Sequence, residues 1–143
     1  MLVWALALSF AYGGCSSDDN AGESVDPLIK KLSYLGERIN GNQVPSVRFL
    51  IEFSDKDGDL GGGRLLIKRG CAVAEPQDLR TLFDAQTVVL PENAKSGSFE
   101  LSLDAPNGLK TSDATEFGFL LQDERGHLSN EAVLVLSPKS GRE

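Results

Sequence analysis

The strongest constraint on this chain is a rhythm that stops and restarts between residues 47 and 68. Val47, Phe49, Ile51 and Phe53 alternate with Arg48, Leu50 and Glu52, the pattern of a β-strand with one face on a core. The alternation halts at Asp55-Lys56-Asp57-Gly58-Asp59-Leu60-Gly61-Gly62-Gly63 and resumes with Leu65 and Ile67 on the inward face. Glycine tolerates positive φ and aspartate hydrogen-bonds its own backbone, so this run favours a turn over any regular element. Two strands joined by an acidic, glycine-rich corner are therefore expected, and the rest of the chain must supply their partners.

It does so with the same period. Residues 28–35 are mixed in pattern and predict an edge strand, followed by a polar connection over 36–45 that contains the turn pair Asn40-Gly41. Thr87-Val88-Val89-Leu90 predicts a short strand halted by Pro91, and residues 98–103 alternate almost without fault. A polar loop over 104–114 leads to a strand with Phe117, Phe119 and Leu121 inward. Residues 123–130 form a turn, and residues 132–136 a last strand. One stretch breaks the rhythm: Leu79, Leu82 and Phe83 stand at i, i+3 and i+4 behind Pro76, which predicts a short helical turn near 76–83. About seven short strands with turn signals between them predict an all-β, antiparallel sandwich.

Composition narrows the functions. The net charge is −7 and the longest basic runs are pairs, Lys30-Lys31 and Lys68-Arg69, which argues against nucleic acid as a partner. His127 is the only histidine and lies in a turn, where it reads as a solvated loop residue. No cysteine–histidine spacing suits zinc, and Gly61-Gly62-Gly63 lacks the following Lys-Ser/Thr of a phosphate loop. A catalytic role is not expected. Sugar recognition leans on exposed aromatic rings, and Tyr34 is the one tyrosine beyond residue 12.

The acidic corner admits two readings. One is a solvated β-turn. The other is a site in which alternate aspartates gather oxygens around a hard cation, with Ca²⁺ the candidate cofactor. It is no EF-hand loop, because the sixth and twelfth positions counted from Asp55 hold Leu60 and Leu66.

Residues 2–12 are uncharged and mostly apolar, too short to span a bilayer, and fit the apolar region of an export signal. Gly13-Gly14-Cys15 followed by Ser16-Ser17-Asp18-Asp19-Asn20 resembles the lipobox of bacterial lipoproteins, with Tyr12 where the family usually has leucine. The resemblance implies cleavage before Cys15, lipidation of Cys15, and a membrane anchor. Ser16 directly after the cysteine implies the outer membrane, facing either the periplasm or the outside. No lysine or arginine precedes Cys15, so a start further upstream is expected. If Cys15 is lipidated, Cys71 has no internal disulfide partner and reads as a half-buried, inert thiol. The expected organisation is a signal over 1–14, a lipidated, flexible tether over 15–26, the sandwich over 27–138 and a short tail over 139–143.

A strand ending in Phe53-Ser54-Asp55, followed by Asp57-Gly58-Asp59-Leu60 and another strand, resembles the immunoglobulin-like and cadherin-like repeats of bacterial surface proteins. So does Asp123, Gly126, Ser129 and Asn130 before a last strand. That fold places the loop after the second strand beside the loop before the last one. Asp55, Asp57 and Asp59 are then expected to face Asp123 and Asn130 as a candidate Ca²⁺ site. Together these features imply a non-enzymatic, lipid-anchored envelope module for binding, adhesion or assembly, with an envelope protein or a glycan as partner. The alternative is a small Ca²⁺- or ligand-binding surface domain, carbohydrate included, working through the acidic corner.

Overall fold

The computed structural model describes residues 25–70, 72–73, 76–85, 91, 93–105 and 114–137. The expectations for the signal, for Cys15, Cys71 and the short strand over 87–90, and for most of the 104–114 loop lie outside these residues.

Two antiparallel sheets face each other. In one, the order is β1 (Leu28–Ile39), β2 (Pro45–Ser54), β6 (Ser96–Asp104). In the other, β3 (Arg64–Arg69) pairs with β7 (Thr115–Gln122), which pairs with β8 (Ala132–Leu136). The second long edge of β3 is covered by two short pieces end to end. β4 (Ala72–Val73) pairs with Lys68 and Arg69, and β5 (Gln77–Asp78) pairs with Arg64 and Leu65. Counted by position, the sandwich has seven strands, three against four.

The alternation read from the sequence is what builds the layers. Val47, Phe49, Ile51 and Phe53 of β2 are buried, as are Phe99, Leu101 and Leu103 of β6, Leu65 and Ile67 of β3, and Phe117, Phe119 and Leu121 of β7. Phe49 is the hub. Its ring centroid lies 5.2 Å from that of Phe117 and 5.0 Å from that of Phe119 across the sheets, and Tyr34 packs on its other side at 6.0 Å. Burying one such ring is worth about 1.5–3 kcal/mol, and each tilted aromatic pair adds about 0.5–1.5 kcal/mol. Tyr34 is half-buried in this packing.

Two boundaries differ from the expectation, each for a local reason. β1 does not end at Leu35 but continues to Ile39, because the strand absorbs Gly36 at a bulge where its φ is 106°. The connection to β2 shrinks to residues 40–44. The helix is α1 (Leu79–Asp84), three residues later than the reading from Pro76. Its start is set by Asp78, whose carboxylate accepts from the backbone N–H of Arg80 at 2.8 Å and of Thr81 at 3.4 Å. Leu79 and Phe83 point inward from α1, and Phe83 joins Phe53 and Phe99 in a second aromatic cluster. That cluster fills the end of the sandwich where β2 runs into the acidic corner.

Candidate metal centre

The corner is organised around two buried groups of opposite character. Leu60, in a 3-10 turn over Leu60–Gly62, is a plug driven into the core with 1% of its surface exposed. Asp55 is buried to the same degree, and its Oδ2 accepts from the Leu60 backbone N–H at 2.9 Å. The aspartate therefore turns the chain so that the leucine can enter. The Asp55 N–H donates to the Lys95 carbonyl at 2.8 Å, which ties the corner to the segment before β6.

The glycines are there because other backbone crowds them. A Cβ on Gly63 would lie 1.9 Å from the Gln122 carbonyl oxygen, and one on Gly58 would lie 2.8 Å from that of Asn93. Gly58 also needs its positive φ of 75°. The acidic loop is thus clamped between β7 on one side and the 93–95 segment on the other.

Within this clamp the carboxylates of Asp55, Asp57 and Asp59 converge, with one oxygen from each within 4.8 Å of the others. Four buried oxygens lack any hydrogen-bond partner: Oδ1 of Asp55, Oδ1 of Asp57 and both oxygens of Asp59. Such groups are costly to leave unpaired, at about 1–3 kcal/mol each. Proton affinities respond accordingly. Burial, followed by the hydrogen bond that a protonated Asp55 would make to Asp57 and by the repulsion of its neighbours, pushes the Asp55 carboxyl up to about 6. The same hydrogen bond holds Asp57 below the usual carboxylate range, and burial together with the charge of Asp123 raises Asp59.

The 123–131 loop does lie at this end. The Glu124 N–H reaches the Asp59 carbonyl at 3.3 Å, and Arg125 bridges the carboxylates. Its Nη1 is 3.5 Å from Asp57 Oδ2 and its Nε 3.3 Å from Asp59 Oδ2, the latter at an angle that makes an ion pair without a hydrogen bond. The loop brings charge, but not the ligands expected of it. Asp123 spends both oxygens on His127, accepting from its backbone N–H at 2.7 Å and meeting its Nδ1 at 2.7 Å. That partner raises the proton affinity of His127, which is not simply a solvated loop residue. Asn130 faces the other sheet: its Oδ1 accepts from the Ile29 N–H at 2.8 Å and its Nδ2 donates to the Ile29 carbonyl. It stitches β1 to the approach of β8.

Three of the five expected ligand residues therefore stand together, and the other two have structural partners of their own. Sequence reasoning overlooked Arg125, although a positive residue stands inside Asp123-Glu124-Arg125-Gly126-His127. An all-oxygen, strongly anionic set of donors suits a hard cation, Ca²⁺ above softer metals. A raised and a lowered carboxyl side by side can also serve acid–base chemistry. Here the raised group, Asp55, is 1% exposed. Comparison of the chain with family models, with curated proteins and with solved structures finds no match.

Proposed function

We propose that this chain is a non-enzymatic, lipid-anchored β-sandwich module of the bacterial envelope whose acidic end binds Ca²⁺. The observation that carries the calcium reading is the convergence of Asp55, Asp57 and Asp59 with four buried oxygens that accept no hydrogen bond. Ca²⁺ takes six to eight oxygens and tolerates irregular geometry, so these three side chains would hold it, with water completing the shell. An affinity in the range of extracellular modules, about 10⁻⁴–10⁻³ M, is expected. The ion would rigidify the corner and present a fixed end for binding or assembly.

The strand order supports an immunoglobulin-like assignment. The consecutive strands β2 and β3 belong to different sheets, and each pairs with a strand far along the chain, β6 and β7. The anchor reading rests on Gly13-Gly14-Cys15 and its polar sequel.

The calcium reading is tested by thermal melts of the full chain in detergent, with millimolar Ca²⁺, with Mg²⁺ and with chelator. A calcium-specific rise in Tm that Asp57→Asn abolishes is expected. Identical melts in all three would leave the corner a charged turn. For the anchor, Cys15→Ser behind a complete signal should move the protein from the membrane to the soluble fraction of a Gram-negative host. Equal fractionation of both forms refutes it.

A further inference from the structure

Asp57 and Asp59 each turn one oxygen toward the guanidinium of Arg125, on a side chain that is 65% exposed. These contacts are long, 3.5 and 3.3 Å, and leave Asp55 Oδ1 buried and unpartnered behind them. A guanidinium is a rigid planar fork that bonds along fixed directions, whereas a divalent ion gathers oxygens from all sides.

The backbone that carries Arg125 is held by other groups. Asp123 caps the loop through the His127 N–H, and the Gly126 N–H bonds the Asp123 carbonyl at 3.1 Å. The Ser129 N–H bonds the Leu121 carbonyl at 2.8 Å. The side chain can therefore leave while the loop stays folded.

We infer that Arg125 is a tethered competitor at the mouth of the acidic site, a built-in monovalent cation that a divalent ion must displace to reach Asp55. This rests on the calcium reading above and adds its regulation. Arg125 stabilises the corner when calcium is scarce and sets the concentration at which calcium takes over. On displacement, its guanidinium swings into solvent beside the 123–131 loop. Binding is thereby reported on the outer surface of the module.

The test is calorimetric titration of the full chain in detergent with CaCl₂, for the wild type, Arg125→Gln and Arg125→Lys. A unit charge at a protein–water boundary changes the affinity of a nearby divalent ion by on the order of tenfold. Arg125→Gln should therefore bind Ca²⁺ about tenfold more tightly than wild type. Arg125→Lys, which keeps the charge, should stay within about threefold of wild type. The Nε–H resonance of Arg125, identified by its loss in Arg125→Gln, should move toward solvent values as Ca²⁺ is added.

Equal or weaker binding by Arg125→Gln overturns the competitor role, as does an Nε–H resonance that calcium leaves in place. Absence of binding heat from all three chains overturns the calcium reading itself, and the competitor role with it. The two failures are distinct.

Discussion

At the end of the sandwich where β1 turns into β2, one residue closes the chain on itself. The Asn40 side chain accepts from the N–H groups of Asn42 and Val44 at 3.0 and 2.9 Å, and its amide donates to Asp104 at 3.1 Å. Its own N–H and carbonyl complete the turn with Val44 and Gln43. At the opposite end, residues 55–63 turn the chain just as sharply, yet four carboxylate oxygens there are buried without a hydrogen bond. A turn that only reverses the chain finishes with its polar groups satisfied. The acidic end does not, and buried oxygens of one sign that accept no hydrogen bond are what a cation would satisfy.

The largest effect that should separate the two ends is steric. Gly63→Ala forces a Cβ into the Gln122 carbonyl and is expected to cost about 3 kcal/mol in chemical denaturation. A loss well under 1 kcal/mol would show that the acidic corner is not clamped against β7.

The next effect is electrostatic. Asp55 is raised above its unfolded value of 3.8 to about 6, so its contribution is fully present below about pH 4 and lost as pH rises through 6. Asp59 and His127 are also raised and act in the same sense, His127 above pH 6.5, while Asp57 is lowered and acts oppositely below about pH 4. In chelator, the protein should therefore lose stability between pH 5 and pH 8. Asp55→Asn, a neutral mimic of the protonated acid, should be more stable than wild type by about 2 kcal/mol at pH 8 and equal to it near pH 4.5. Added calcium should help the wild type most at pH 8 and least at pH 5. A wild-type pH profile that Asp55→Asn leaves unchanged would remove the electrostatic half of the contrast.

Smaller effects belong to the satisfied end. Asn40→Ala should cost about 1 kcal/mol through its lost hydrogen bonds, the same at pH 5 and pH 8 and with or without calcium. Gly41→Ala meets open space at a φ outside the left-handed region and should change stability by less than about 0.5 kcal/mol. Calcium dependence in either variant would mean that the two ends are coupled through the sheets.

The sequence by itself determined the layers. Period-two burial in β2, β6 and β7 follows from side chains alternating across a strand, a property of the local chain, and the inward faces read from it are the observed core. It also determined where the chain turns, because Asp and Gly act on the backbone within a few residues. Tertiary structure alone decided which polar groups met. Asp123, Asn130 and Arg125 share a loop and look equally available in sequence, yet the first caps His127, the second stitches β1, and the third reaches Asp57 and Asp59. Leu60 likewise looks like a stray apolar residue in a charged turn until the fold buries it. Local periodicity reports which face a residue takes. The partner it finds there depends on contacts between segments 68 residues apart along the chain, from Asp57 to Arg125, and no local pattern encodes those.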